Sequence, residues 1–306
     1  MRRVSQMRYG GQASAWAAGE VDYPGQRSGI GAAAARPAAS PTKRAGRWTR
    51  AVTPEQILRS FNTRAFKREK PDKPELMLEL IAEAHARRAP ISFVQYWGKG
   101  LRPTPAAPEL ACLNFLDSML SRIGAIYEPG ADLALVFTDT HAALNGHSQA
   151  SIHSYFQDLT LAARRYRFHT CLLSSLLSAA EPDEMPERQV PPADLLAELR
   201  ASAVKWFKGQ GSAEEGAIRY FQSNMVERKV MERAFPRSIF ITFNGSRFRC
   251  LFPGTLPIFY MFSLRHGVSD KPWFLPPDYP GRGPQPNEQA VELARLASQS
   301  RDGPTP

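Results

Sequence analysis

The chain has few cysteines and no long apolar run. Its three cysteines, Cys112, Cys171 and Cys250, are odd in number and far apart in 306 residues, which fits neither a disulfide framework nor a paired CxxC zinc site. We therefore expect a reducing, cytoplasmic setting, with Cys171 and Cys250 as buried apolar side chains. Because no apolar run approaches the roughly 18 residues of a membrane span, a transmembrane protein is excluded and no membrane partner is expected.

Common catalytic and nucleotide-binding motifs are absent as well. The chain has no GxSxG and no GxGxxG, and the G-K-G around Lys99 lacks the long loop of GxxxxGK[ST]. Serine-hydrolase and simple dinucleotide-binding functions are thereby excluded. His141, His147 and His153 recur every six residues. Because that spacing does not bring them to one helical face, neither a metal site nor a cofactor is predicted.

The net charge of +10 is concentrated at one end of the chain. Residues 1–50 carry nine Lys and Arg against two acidic residues, or +7, whereas the other 256 residues carry 30 against 27, or +3. A protein that binds in a groove of DNA or RNA should be basic in its folded part, and this chain is basic mainly in residues 1–50. Nucleic acid is therefore not an expected partner. The Gly/Ala/Pro/Arg composition of residues 1–50 predicts a disordered basic tail, with a targeting peptide or a nucleic-acid arm as alternatives.

A folded α/β domain is predicted over residues 51–278, followed by a flexible tail at 279–306. T-P-E-Q from Thr53 predicts a helix start with a capping box, and a second helix follows at about 74–88. The hydrophobic period then alternates between strand and helix: strands at 91–97, 133–137 and 170–177, helices at about 110–127 and 150–166. Such alternation with long crossovers predicts a parallel sheet covered on both faces.

The second half of the domain is predicted to be mixed. An exposed linker at 181–192 precedes helices at about 193–208 and 213–234, the second with a capping box from Ser212. Asn244–Gly245 then separates two apolar runs, which predicts an antiparallel hairpin with a type I′ turn, and 257–264 would add a strand. The expected fold class is α/β, with a mixed sheet built from a parallel βαβαβ core and a C-terminal antiparallel hairpin.

Polar residues follow the first two predicted strands. Lys99 and Arg102 come after the first strand, and Asp139 and His141 come after the second. Ligands of open α/β sheets bind outside the carboxyl ends of the strands, where a lysine, a carboxylate and an imidazole together can hold an anionic substrate and move protons. The alternative is that Lys99 and Arg102 are solvated loop charges and that Asp139 caps a turn.

Two segments resemble the isocyanide (isonitrile) synthase family of pyoverdine/dityrosine-type biosynthesis. In residues 110–141 a long helix leads to I-Y-E-P-G-A at Ile126–Ala131 and to a strand that ends in Thr138–Asp139–Thr140. The family pairs such a helix with an IYPPGA-like turn and a strand that ends in Ser-Asp-Gly. N-M-V-E-R-K-V-M-E-R-A-F-P-R-S-I, at 224–239, is similar to the family's Asn-bearing helix. The resemblance covers roughly residues 90–275.

This resemblance implies a Rossmann-like fold and a lyase-type reaction of specialised metabolism. In that reaction an amino acid's amine condenses with the ketone of ribulose 5-phosphate, so the implied partners are small molecules, an amino acid and a phosphosugar. The oligomeric state stays open. The resemblance implies a catalytic role for Asp139 and substrate-binding roles for Lys99, Arg102, Asn224 and Arg228. His141, which follows the same strand end, is the second catalytic candidate.

The sequence departs from the family at three places. The family's glycine after the Asp is Thr140, and its following Arg is His141. Thr242–Phe243–Asn244 stands where members tend to show Ser-Ile-His, and K-P-W-F at 271–274 stands where Pro-Trp-His is common. His141 is thus the best local candidate for a replacement imidazole. The alternative function is a ligand-binding or accessory protein of a biosynthetic cluster, without isonitrile chemistry.

Removal of the basic tail should leave the domain stable. Residues 1–50 lack apolar periodicity, and ordering them would cost about 1–2 kcal/mol per residue with no compensating burial. A chain that starts near residue 51 should therefore melt within a few degrees of the full-length protein in a calorimetric scan. A large drop in melting temperature would show that the tail packs on the domain.

Overall fold

A computed structural model describes residues 52–98, 105, 107–179 and 189–261 of the chain. All of them belong to one compact unit. In this part of the chain the elements follow one another as α1 (Pro54–Phe61), α2 (Pro74–Ala86), β1 (Ile91–Trp97), α3 (Ala107–Gly124), β2 (Ala131–Phe137), α4 (Asp139–Leu144), α5 (Gln149–Arg164), β3 (His169–Leu172), α6 (Leu173–Ser178), α7 (Ala193–Trp206), α8 (Ala213–Ala234), β4 (Ile239–Thr242), a 3-10 helix (Ser246–Leu251) and β5 (Ile258–Tyr260).

Both predicted capping boxes are confirmed. The Thr53 hydroxyl accepts a hydrogen bond from the Gln56 backbone N–H, and the Gln56 side chain accepts one from the Thr53 backbone. Ser212 and Glu215 form the same reciprocal pair at the start of α8. Each box satisfies backbone donors that have no partner within the helix, so these two starting points are set locally.

Among the described residues, no helix combines the length and the apolar character needed to cross a bilayer.

The five strands form one sheet in the order β3-β2-β1-β4-β5, and every neighbouring pair is parallel. The parallel core and the α/β class are thereby confirmed. From β1 the chain moves outward to β2 and β3, then returns to the other side of β1 for β4 and β5. The direction of winding reverses between β1 and β4, and such a topological switch point is where open α/β sheets form a crevice at their strand ends.

Both faces of the sheet are buried, and successive residues of β1 contribute to opposite faces. Phe93 and Trp97 belong to the apolar cluster on what we term the front face, which is covered by α1, α2, α3 and α5. Val94 and Tyr96 pack on the rear face, which is covered by α6, α7 and α8. A side-chain period of two is what a strand dictates. Burial on both faces explains why the strands are nearly continuous apolar runs.

Two predicted strand segments differ from the structure. The third strand ends at Leu172, and the apolar residues that follow form α6 instead. The antiparallel hairpin is wrong, because β4 is followed by a 3-10 helix and then by β5, which runs parallel to β4. Gly245 has φ −78° and not the positive φ of a type I′ turn. Cys250, which we expected to be buried, is exposed in the 3-10 helix.

The Glu69 side chain lies against residues 245 and 246, where the hairpin turn was expected. The Glu69 carboxylate accepts a hydrogen bond from the Ser246 backbone N–H at 2.9 Å, and a Cβ at Gly245 would lie 2.8 Å from Glu69 Oε1. Gly245 is therefore not in a turn conformation that demands glycine, and a Cβ there would only displace the end of the Glu69 side chain. The predicted tails and most of the linker at 181–192 lie outside the described residues.

The edge of the sheet at β5 is covered by residues 67–72. Isolated antiparallel bridges join Lys67 to Met261 and Asp72 to Ile258. The Arg249 guanidinium lies beside this segment, where it pairs with the Asp72 carboxylate and donates to the carbonyl oxygens of residues 252, 253 and 254. Covering an edge strand in this way removes a row of unpaired backbone groups.

Replacement of Arg249 by alanine should destabilise the domain. The change removes one ion pair and the donors for three carbonyl groups, so we expect a loss of about 2 kcal/mol in the free energy of unfolding. Arg247→Ala on the same 3-10 helix is the matched control, because its ion pair with Glu198 is 67% and 42% exposed and should contribute less than about 1 kcal/mol. Urea denaturation measures both. Equal losses would contradict a bracing role for Arg249.

Candidate functional site

The ends of β1 and β2 are tied together where the predicted site lies. The backbone N–H and the hydroxyl of Thr138 both donate to the Trp97 carbonyl oxygen, at 2.9 and 3.1 Å. Gly98 then leaves β1 with φ +90°, a conformation that side-chain-bearing residues rarely adopt. Lys99 and Arg102, the predicted anion anchors, lie outside the described residues, so their roles stay predictions.

Asp139 caps a neighbouring helix. It is the first residue of α4, and its Oδ1 accepts a hydrogen bond from the Ser174 backbone N–H at 3.0 Å, in the first turn of α6. A carboxylate at a helix start satisfies a free backbone donor and interacts favourably with the helix dipole. Burial, followed by the negative charge of Asp139, raises the pKa of Cys171 to about 11. The hydrogen bond to Ser174 directly supports the alternative that Asp139 is a structural cap. A catalytic role for Asp139 stays a prediction.

His141 forms the central contact of the site. Its side chain and that of Glu227 on α8 are each only 1% exposed, and His141 Nε2 lies 2.8 and 2.7 Å from the two carboxylate oxygens. Because a carboxylate can only accept hydrogen bonds, Nε2 carries the proton and Nδ1 keeps its lone pair in the neutral ring. Nδ1 is buried, and no described residue forms a hydrogen bond with it. An imidazole oriented by a carboxylate in this way can accept a proton at its second nitrogen.

Two tyrosine rings enclose the imidazole. Tyr220 of α8 contacts the His141 ring edge-on with centroids 5.0 Å apart, and the Tyr96 ring of β1 lies at 6.3 Å. Tyr96 itself packs edge-on against Phe240 of β4 at 5.3 Å. These rings keep water from the His141–Glu227 pair, which strengthens its hydrogen bond because the local dielectric is low.

Asn224 and Arg228 project from α8 to different surroundings. Tyr220, Asn224 and Glu227 follow the i, i+4, i+7 spacing of one helical face, and Asn224 is 1% exposed with its side-chain amide donating to the Tyr220 carbonyl at 2.7 Å. The Arg228 guanidinium instead donates to the Cys250 carbonyl at 3.2 Å. Asn224 therefore lies on the face that carries Glu227, whereas Arg228 links α8 to the 3-10 helix. Substrate binding by either residue stays a prediction.

The other histidines of the six-residue series do not join this site. His147 is half-buried, and burial lowers its pKa, while His153 is exposed on α5. Across residues 52–98, 107–179 and 189–261 there is no group of three or more His, Cys, Asp or Glu side chains that could hold a metal ion.

Sequence reasoning missed Glu227. Within V-E-R-K-V-M-E-R it looks like one charge on a solvated helix face. Its spacing carried a usable signal, because position 227 lies three residues after Asn224 and four before Met231, both of which are buried. A carboxylate on the buried stripe of an amphipathic helix needs a partner, and His141 is that partner.

No family model and no curated protein matches this sequence. Among solved structures, the chain is similar to the crystal structure of the PvcA protein from Pseudomonas aeruginosa. The identity is 19%, the TM-score is 0.56, and the match covers 72% of this chain and 87% of PvcA. At this level of identity the likeness shows a common fold, and it spans most of both chains.

The buried pair should show strong energetic coupling. Glu227→Leu leaves a buried His141 N–H without an acceptor, so we expect a loss of about 3 kcal/mol in the free energy of unfolding. His141→Leu should cost a similar amount, whereas the double variant should cost clearly less than the sum. Urea denaturation of all four proteins measures the coupling. The exposed Arg200–Glu214 pair, 57% and 52% exposed, is the control cycle with an expected coupling below about 1 kcal/mol. Additive losses at His141 and Glu227 would contradict the contact.

Proposed function

We propose that this protein is an isocyanide-synthase-like enzyme of specialised metabolism that condenses the amine of an amino acid with a phosphosugar such as ribulose 5-phosphate. The observation that carries the proposal is the buried His141–Glu227 pair, with His141 Nδ1 left without a partner. A neutral imidazole held in this way is suited to take a proton from a bound amine.

The pair also joins the two segments that carry the family resemblance. His141 ends the similar segment 110–141, at a position where the family has Arg, and Glu227 lies in the similar segment 224–239. They are 86 residues apart in the chain and in hydrogen-bond contact in the structure. The Rossmann-like α/β fold that the resemblance implies is the fold this chain has in common with PvcA.

The chemistry assigns separate tasks to these residues. In the condensation, the amine nitrogen attacks the ketone carbon, a C–N bond forms, and the carbonyl oxygen leaves as water. His141 Nδ1 accepts the proton that the nitrogen loses, and the Glu227 carboxylate stabilises the resulting imidazolium. We assign the phosphate group to Lys99 and Arg102, since two cations three positions apart in the sequence match a dianion.

A specific observation favours the alternative, a ligand-binding or accessory protein. Asn244 stands where family members tend to show a histidine, and its backbone N–H donates to the Thr242 hydroxyl at 3.0 Å. The neighbouring Phe243 is buried in the apolar cluster of the front face. Residues 242–244 therefore supply no imidazole at this strand end, where the family has one, and His141 is the imidazole that we propose in its place.

The two functions are separated by incubating the protein with ribulose 5-phosphate and a panel of amino acids, followed by mass spectrometry. We expect a condensation product with at least one amino acid, and a fall of about 10²–10⁴-fold in kcat for His141→Gln. His153→Gln, on the exposed face of α5, is the matched control and should keep wild-type turnover. Calorimetric binding of these compounds without any product would favour the accessory protein, and wild-type turnover by His141→Gln would refute the base.

A further inference from the structure

Tyr96 buries a hydroxyl group that has no partner. The residue precedes the last position of β1, and its ring packs, partly exposed, on the rear face of the sheet. Its Oη is buried and has no hydrogen-bond partner in the described part of the chain. A buried phenol normally finds a partner, because an unsatisfied hydroxyl costs roughly 1–3 kcal/mol. Phenylalanine would fill the same space without this cost, so packing alone does not explain the tyrosine.

The position of Tyr96 relates this hydroxyl to the proposed base. Its ring lies edge-on to His141, with centroids 6.3 Å apart, at the carboxyl end of the central strand and beside the switch point between β1 and β4. His141 Nδ1, also buried and without a partner, can only accept a proton in the neutral ring. Tyr96 Oη can donate one. The two unpartnered groups are therefore complementary.

The surroundings keep the phenol protonated. Burial, followed by the negative charges of Glu227 and Glu232, raises the pKa of Tyr96 well above its ordinary value. The hydroxyl thus keeps its proton throughout the neutral range. It is suited to donate a hydrogen bond to an oxygen that becomes negative during a reaction.

We propose that Tyr96 is a catalytic residue that donates a hydrogen bond to the ketone oxygen of the sugar substrate, opposite the amine that His141 deprotonates. This proposal rests on the proposed function. When the amine nitrogen bonds to the ketone carbon, the C=O electron pair moves to oxygen, where the Tyr96 O–H stabilises it. The proton taken up by His141 passes to that oxygen, which leaves as water with one further proton from the nitrogen. Amine and ketone thereby give imine and water.

Tyr96→Phe tests the role against a matched control. In the wild type the Tyr127 hydroxyl donates to the carbonyl oxygens of Ala84 and Ala89, at 3.1 and 2.7 Å, at the opposite end of β2. Tyr127→Phe should therefore lower the melting temperature and leave kcat/KM unchanged. We expect the reverse for Tyr96→Phe, with an equal or higher melting temperature and a kcat/KM reduced at least tenfold. A Tyr96→Phe variant that melts as low as Tyr127→Phe would overturn the proposal.

Binding measurements isolate the ketone contact. Calorimetric titration with ribulose 5-phosphate and with ribitol 5-phosphate, which carries a C2 hydroxyl group in place of the ketone, compares a planar carbonyl acceptor with a tetrahedral hydroxyl at one position. We expect the wild type to prefer ribulose 5-phosphate by about five- to tenfold, and Tyr96→Phe to lose this preference while keeping its affinity for ribitol 5-phosphate. A preference that survives in Tyr96→Phe overturns the role of Tyr96 alone. If the wild type binds neither compound, the proposed function fails and this inference fails with it.

Discussion

The contact between Glu227 and His141 is the interaction on which the site depends. A carboxylate that is 1% exposed has lost its hydration, which costs several kcal/mol unless a donor of good geometry replaces the water. His141 supplies that donor from α4, which follows β2, whereas Glu227 comes from α8, which precedes β4. One hydrogen-bonded pair therefore holds together the rear layer and the strand ends on both sides of β1.

The parallel sheet explains why two residues only two positions apart have different surroundings. α4 begins directly at the end of β2, so Asp139 lies at its first position and reaches the start of α6. One half-turn later His141 points to α8. Both side chains follow the same strand end, as expected for polar groups that serve a ligand. Their partners differ, because the Asp139 carboxylate accepts a hydrogen bond at the start of α6, whereas the His141 imidazole pairs with a buried carboxylate on α8.

β1 is the central strand of the sheet, and both of its faces are covered by other elements. It pairs with β2 on one side and with β4 on the other, so its residues are covered on both faces and its carboxyl end opens at the switch point. Polar groups are costly in such a strand, yet Tyr96 carries an unpartnered hydroxyl there. Local departures from good packing are expected where a protein binds or transforms a ligand. Among the described residues, the Tyr96 hydroxyl and His141 Nδ1 both lack a hydrogen-bond partner, and their rings have centroids 6.3 Å apart.

Local patterns in the sequence determined much of the fold. Several elements depend only on residues within a few positions of each other. They are the capped helix starts at Thr53 and Ser212, the helical stripe of α3, and the apolar runs of β1 and β2. The sequence predicts each of them at nearly its observed bounds. Asp139 and His141 were located for the same reason, because polar residues after apolar strands mark strand ends. Tertiary structure alone decided the direction of β5, the exposed 3-10 helix after Gly245 and the pairing of His141 with Glu227. Each of these features involves contacts with distant parts of the chain: β5 with residues 67–72, the 3-10 helix with Glu69, and His141 with α8. The free energy of burying a charge depends on its partner, and that partner lies outside any local stretch of sequence.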